Sequence, residues 1–299
     1  MNQEKTFEGA MTALVTPFVT RNAVSVVDEK ALGLFCEKQI ASGIDGVIAC
    51  GTTGESATLS MEERGRVLQV VREAVRGRVP VIAGVGSNST AQTVALALQA
   101  KQLGADALLV VTPYYNKPTQ QGLYEHYRAV AKVGMPLFLY NVPSRTGCDL
   151  LPETVARLCA FPEVIGIKEA SGQIQRTQRI LQQTGDRLIV LSGDDAINYP
   201  LYCIGARGCI SVVSNLFPGS VASCWDAHER GDAAVARKVH QAMLPVADAL
   251  FLETSPTPVK TALSWRGEMS AEVRLPLCGL SETTATTLQM VLEQSRGLS

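Results

Sequence analysis

Short apolar runs rich in β-branched residues recur along the chain. Each is followed by a Gly, Pro or Ser/Thr signal and then by a longer segment whose apolar positions fall at helical spacing. That alternation marks a parallel sheet flanked by helices. The runs predict strands over residues 11–15, 46–50, 80–84, 107–111, 137–140, 164–168, 188–191 and 208–212. Helical spacing covers 29–41, 61–75, 90–103, 120–133 and 174–183. Several of these helices have readable starts: Asp28 before Glu29, Ser60 with Glu63 three residues on, Ser89 or Thr90, and Thr119. The strand and helix units before residue 230 fit an α/β fold of the closed (β/α)8 barrel type, because an open doubly wound sheet usually has fewer strands. Periodicity alone does not separate the two, so the barrel reading also leans on the chemistry-bearing segments below.

Beyond Gly231 the strand runs stop, and residues 232–252, 258–264 and 281–294 read as helices. No linker rich in Gly, Ser or Pro intervenes. The expected division is therefore a barrel over 1–230 carrying the active site and a C-terminal helical region over 231–299 packed on it.

Composition narrows the class of function. The 299 residues are 46% hydrophobic and 18% charged, with 25 Gly and 14 Pro, which is ordinary for a globular enzyme-sized chain. Lys plus Arg (27) nearly balance Asp plus Glu (28), so no field favours nucleic acid or an anionic membrane, and a small-molecule partner is expected. The first ten residues are polar and lack the apolar core of a secretory signal. No apolar run approaches the roughly 20 residues of a membrane-spanning helix. Eight cysteines lie scattered without a C-x-x-C pair or a metal-type Cys/His spacing, which predicts reduced, buried thiols in a cytoplasmic protein.

In a parallel barrel the chemistry sits at the C-terminal ends of the strands and in the loops that follow. Lys168 ends the run Val164-Ile165-Gly166-Ile167; burial of an amine there disfavours the ammonium and leaves a nucleophile able to attack a ketone. Tyr140 ends another strand, where a phenol can shuttle protons. Arg145 follows in a Pro- and Gly-punctuated loop, and its planar fork suits a carboxylate. Gly51-Thr52-Thr53-Gly54 offers closely spaced N–H groups and two hydroxyls for a small anion. Each has a plainer alternative: a lysine reaching solvent, a packed tyrosine, a solvated arginine, a tight turn. The segment 84–90 lacks the glycine spacing and lysine of a phosphate loop. Cys50 abuts the threonine turn, but the sequence gives it no base among His126, His228 and His240.

The segments GTTGESATLS, VTPYYNKPTQQGLY, LYNVPSRTGCDLLPETV, IGIKEASG and LSGDD, in this order and spacing, resemble the dihydrodipicolinate synthase family over nearly the whole chain. GTTGE and IKE also occur in the wider group of pyruvate-dependent class I aldolases that includes N-acetylneuraminate lyase, whereas YNVPSRTG is typical of the synthases. The resemblance implies a lyase that condenses pyruvate with L-aspartate 4-semialdehyde on the route to diaminopimelate and lysine. It makes Lys168 the Schiff-base residue and Tyr140 the proton shuttle, linked through Thr53 to Tyr115, which in the family comes from the neighbouring subunit. Thr52 and Thr53 would hold the pyruvate carboxylate and Arg145 that of the semialdehyde, with Gly193 and Ile210 lining the pyruvate pocket. No metal or organic cofactor is implied, and a homotetramer built from dimers is. Feedback by lysine would use Ser56, Ala57, Asn88 and Tyr114. Met61 and Gln92 stand where sensitive members carry a histidine and a glutamate, so inhibition by lysine is expected to be weak or absent. The competing readings are a lyase for N-acetylneuraminate or a 2-keto-3-deoxy sugar acid, and a non-catalytic barrel that only binds a keto acid.

Overall fold

The protein is described by a computed structural model over residues 6–299, and residues 1–5 of the polar N-terminal stretch lie outside the described residues. The first barrel strand, β1 (Gly9–Ala13), leads into a hairpin of β2 (Phe18–Arg21) and β3 (Val24–Val27). Seven more barrel strands follow: β4 (Gly46–Ala49), β5 (Val81–Gly84), β6 (Ala107–Val111), β7 (Leu137–Asn141), β8 (Val164–Glu169), β9 (Ile189–Ser192) and β10 (Gly208–Ser211). All eight barrel strands are parallel, and β10 closes back on β1. The predicted strand positions hold to within two residues at either end. The hairpin escaped the sequence reading.

The helices that follow the strands are α1 (Glu29–Ala41), α2 (Met61–Val75), α3 (Thr90–Gln102), α4 (Gln120–Ala131), the single turn α5 (Pro143–Thr146), α6 (Pro152–Leu158), α7 (Ile174–Thr184), α8 (Asn198–Cys203) and α9 (Pro218–Glu229). The expected starts are present. The Asp28 side chain accepts from Ala31 N–H, Thr119 caps α4, and Ser60 and Glu63 form a reciprocal capping box; Ser89 rather than Thr90 caps α3. Beyond residue 230 come α10 (Ala233–Ala249), α11 (Thr257–Trp265) and α12 (Glu282–Gln294). Among the described residues no helix is long and apolar enough to cross a membrane.

Two apolar layers explain why the strands read as near-continuous hydrophobic runs, since both faces of each strand are buried. On β6, Ala107 and Leu109 point into the barrel while Leu108 and Val110 meet the helices. On β7, Phe138 and Tyr140 point in while Leu137 and Leu139 point out. β8 departs from simple alternation. Leu137 pairs with Val164 but Phe138 pairs with Gly166, so one extra residue bulges from β8. Val164 and Ile167 both belong to the outer layer, which an odd spacing permits only across such a bulge. Lys168 consequently faces the barrel interior; without the bulge it would share the outward face of Val164.

The cysteine expectation holds in part. The eight cysteines are free thiols, with Cys36, Cys50, Cys148, Cys209 and Cys224 buried, Cys159 half-buried, and Cys203 and Cys278 exposed. Cys203 ends the short α8 and Cys278 lies in the irregular segment before α12, where no sheet or helix layer covers them.

Candidate active site

A cavity of about 440 Å³ opens at the C-terminal ends of the strands. Its wall includes Thr52, Thr53, Tyr140, Arg145, Lys168 and Gly193, so the structure gathers six of the anticipated residues from four separate segments. Lys168 is 6% exposed, and its cross-strand partner in register is Tyr140. Lys168 Nζ lies 4.6 Å from the centre of the Tyr140 ring. Among the described residues no carboxylate forms a salt bridge with this amine. Gly193 is needed for its room: a Cβ there would stand 2.8 Å from Lys168 Cε and 2.7 Å from Ala170 Cβ.

Thr52 and Thr53 sit in the turn after β4, bracketed by two non-glycine residues in left-handed backbone, Cys50 (φ 55°) and Glu55 (φ 54°). Thr53 is buried and Thr52 half-buried, so hydroxyls and backbone face the cavity from a fixed turn. Arg145 is set by the local chain. Pro143 begins a single helical turn, Gly147 ends it at φ 66°, and the arginine between them reaches the cavity mouth, where its Nη2 donates to Ser255 O at 3.2 Å. Thr146 anchors that turn by donating to Cys148 O at 2.8 Å, and its own carbonyl accepts from Tyr115 N–H.

Two anticipated residues lie elsewhere. Ile210 is buried in the barrel interior below the cavity, and Val212, two residues on, reaches the wall instead. Tyr115 is 88% exposed, takes a left-handed backbone (φ 73°) and does not line the cavity of its own chain. A non-glycine residue held in that conformation with its ring in solvent is a strained arrangement, and such strain concentrates where a residue is used.

The sequence reading passed over other residues of the wall. Asp194 and Asp195 follow β9, and Ala247, Asp248 and Phe251 come from α10 and the residues just after it. Burial pushes the Asp194 carboxyl above its usual range. Asp195 ties two strand ends together: its Oδ2 accepts from Val212 N–H at 2.8 Å and from Val213 N–H at 3.0 Å. The motif LSGDD held the signal for both aspartates, whereas nothing local marks Asp248, which arrives through long-range packing. Cys50 is no thiol nucleophile, because burial pushes its pKa up to about 12.

A second, smaller cavity of about 120 Å³ lies beside the first turn of α2. Ser56, Ala57, Met61, Gln92 and Tyr114 line it, while Asn88 does not; the Asn88 carbonyl instead accepts from Asn116 Nδ2 at 2.9 Å. Its lining includes Arg64, whose guanidinium donates to Ser56 O and Gly84 O, and no lining residue is a carboxylate. Gln92 Oε1 is already taken by Ser87 Oγ at 2.6 Å. The sequence reading missed Arg64.

The chain matches the Dihydrodipicolinate synthetase family over residues 6–295. The 4-hydroxy-tetrahydrodipicolinate synthase of Syntrophus aciditrophicus is 50% identical over 288 residues, which cover 96% of this chain and 98% of that one. The solved 4-hydroxy-tetrahydrodipicolinate synthase of Methylacidiphilum fumariolicum superposes with a TM-score of 0.94 at 40% identity, covering 98% of this chain and 97% of that one. The chloride-inhibited dihydrodipicolinate synthase of Acinetobacter baumannii, solved in complex with pyruvate, gives a TM-score of 0.94 at 40% identity, covering 98% of this chain and all of that one (100%). With near-complete coverage on both sides and one shared fold, the chain belongs to the dihydrodipicolinate synthetase family, a family of lyases.

Proposed function

We propose that the protein condenses pyruvate with L-aspartate 4-semialdehyde to give 4-hydroxy-tetrahydrodipicolinate, through an imine on Lys168. The observation that carries this reading is the pairing of a buried lysine, without a salt-bridge partner among the described residues, with a tyrosine on the adjacent strand, in a cavity that an arginine also lines. Lys168 Nζ attacks the ketone carbon of pyruvate, water leaves, and the iminium draws electrons so that a methyl proton is lost and an enamine forms. The enamine carbon attacks the aldehyde. The amine of the second substrate then adds to the imine carbon and displaces Lys168, closing the ring. Tyr140 moves protons during formation and loss of the imine, relayed through Thr53 to Tyr115. Thr52 and Thr53 take the pyruvate carboxylate, and Arg145 takes that of the semialdehyde. The imine itself is the electron sink, so this route needs neither a metal nor an organic cofactor.

In this reading Tyr115 serves the site of a second copy, within a homodimer that pairs again into a tetramer. Its exposed ring and left-handed backbone support that role. A cytoplasmic setting suits substrates of central metabolism.

Borohydride reduction in the presence of pyruvate tests the mechanism. It is expected to inactivate the protein and leave a three-carbon adduct on Lys168, located by peptide mass spectrometry. An adduct on another lysine, or none, refutes it. Turnover with aspartate semialdehyde but not with N-acetylneuraminate separates the synthase from the sugar-acid lyases.

A further inference from the structure

The threonine turn is strained and is held from outside the barrel. Left-handed backbone at Cys50 and Glu55 costs on the order of 1 kcal/mol per residue and persists only where neighbours impose it. The neighbours come from the C-terminal helical region. Lys260 on α11 is 0% exposed; its Nζ donates to Glu55 Oε1 at 2.7 Å and to Thr16 O at 2.9 Å. Thr16 in turn donates through Oγ1 to Gly54 O at 2.8 Å. The other carboxylate oxygen of Glu55 accepts from Arg274 N–H at 2.9 Å. Both cations lie over the Phe18 ring, Lys260 Nζ 4.2 Å and the Arg274 guanidinium carbon 4.3 Å from its centre. The same C-terminal stretch reaches a second part of the cavity wall, since Ser255 O accepts from Arg145. Lys260, Thr16 and Arg274 do not line the catalytic cavity.

A buried ion pair is a poor device for stability, because well-packed apolar residues of similar volume often do as well. It is a good device for fixing direction. We propose that Lys260 is a positioning residue: through Glu55 and Thr16 it fixes the turn that presents Thr52 and Thr53, so that the C-terminal helical region sets the affinity for the keto-acid carboxylate. This rests on the reading of the two threonines given under Proposed function.

Three quantities test it: the pyruvate concentration that gives half-maximal borohydride trapping on Lys168, the steady-state KM for each substrate, and the Tm. Lys260→Met is expected to raise the half-trapping concentration and the KM for pyruvate roughly tenfold or more, since displacement of a substrate contact by about 1 Å is costly. Thr16→Val leaves the charges in place and removes only the bond to Gly54. It is expected to raise both roughly threefold, the loss of one hydrogen bond, with the KM for the aldehyde unchanged. Adding Glu55→Gln to Lys260→Met should raise them little further, because both act through one contact. A purely structural role would lower the Tm and leave pyruvate dependence as in the wild type; that outcome in folded Lys260→Met and Thr16→Val overturns the inference. If Lys260→Met does not fold, Thr16→Val decides alone. Absence of trapping on wild-type Lys168 overturns the reading of the site, and this inference with it.

Discussion

Lys168 and Lys260 are both removed from solvent, at 6% and 0% exposure, yet the fold treats them in opposite ways. Lys260 has a carboxylate, a carbonyl and an aromatic face around its amine. Burial lowers its pKa while the nearby Glu55 works against the shift, and its amine is engaged by hydrogen bonds to Glu55 and Thr16. Lys168 has the face of Tyr140 beside it, no salt-bridge partner among the described residues, and an open cavity ahead. Burial therefore does not by itself make a nucleophile. The difference lies in whether a carboxylate pairs with the amine: among the described residues none forms a salt bridge with Lys168, although Asp194, Asp195 and Asp248 line the same cavity.

Removing each amine sharpens the contrast. Lys168→Ala is expected to abolish trapping and lower turnover by about 10⁴-fold or more, as for other covalent nucleophiles, while the protein stays folded. Single-turnover assays and circular dichroism check both halves. Turnover within tenfold of wild type would break the comparison.

Arg145→Ala comes next. Loss of a charged contact to the second substrate commonly costs about 2 to 5 kcal/mol, so condensation should fall roughly 30-fold or more while pyruvate trapping on Lys168 persists. Near-normal condensation by this variant would remove the semialdehyde from the reading.

Stability should follow the opposite order. Lys260→Met leaves the buried Glu55 carboxylate without the ammonium and with the Arg274 N–H as its remaining partner, and should cost about 3 to 5 kcal/mol. Lys168→Met strands no anion and should stay within about 1.5 kcal/mol of the wild type. Urea unfolding of the two variants gives the difference directly; equal losses would mean that the ion pair holds nothing.

The smallest effect concerns a third desolvated cation. Arg64 lines the second cavity without a carboxylate among its neighbours there, and burial lowers its pKa. An amino acid whose ammonium groups must lie beside a guanidinium, with Gln92 already bonded to Ser87, binds poorly. The missing charged partner alone weakens binding by about 1 kcal/mol or more. L-Lysine at submillimolar concentration should leave the steady-state rate unchanged, and Arg64→Ala should not restore sensitivity. Strong inhibition of the wild type at that level would refute the prediction.

Much of this architecture is written locally. Continuous apolar runs, helix caps such as Ser60 with Glu63, and punctuation by Gly and Pro act over a few residues, so the barrel strands and the segments at their C-terminal ends were legible from the chain itself. The bounds of the turn around Arg145 are of the same kind, because Pro143 and Gly147 set them locally. Tertiary structure decided what depends on register and on distant packing. The bulge between β7 and β8 reverses the parity of the strand and points Lys168 inward, a choice made by pairing with Phe138 and not by the residues of β8 alone. Asp248 and Lys260 are unremarkable helical positions until α10 and α11 dock on the barrel, which brings one to the cavity wall and the other to Glu55, 205 residues away in sequence. Apolar runs and capping are short-range and survive in the linear chain; the partner of a buried charge exists only once the chain has closed.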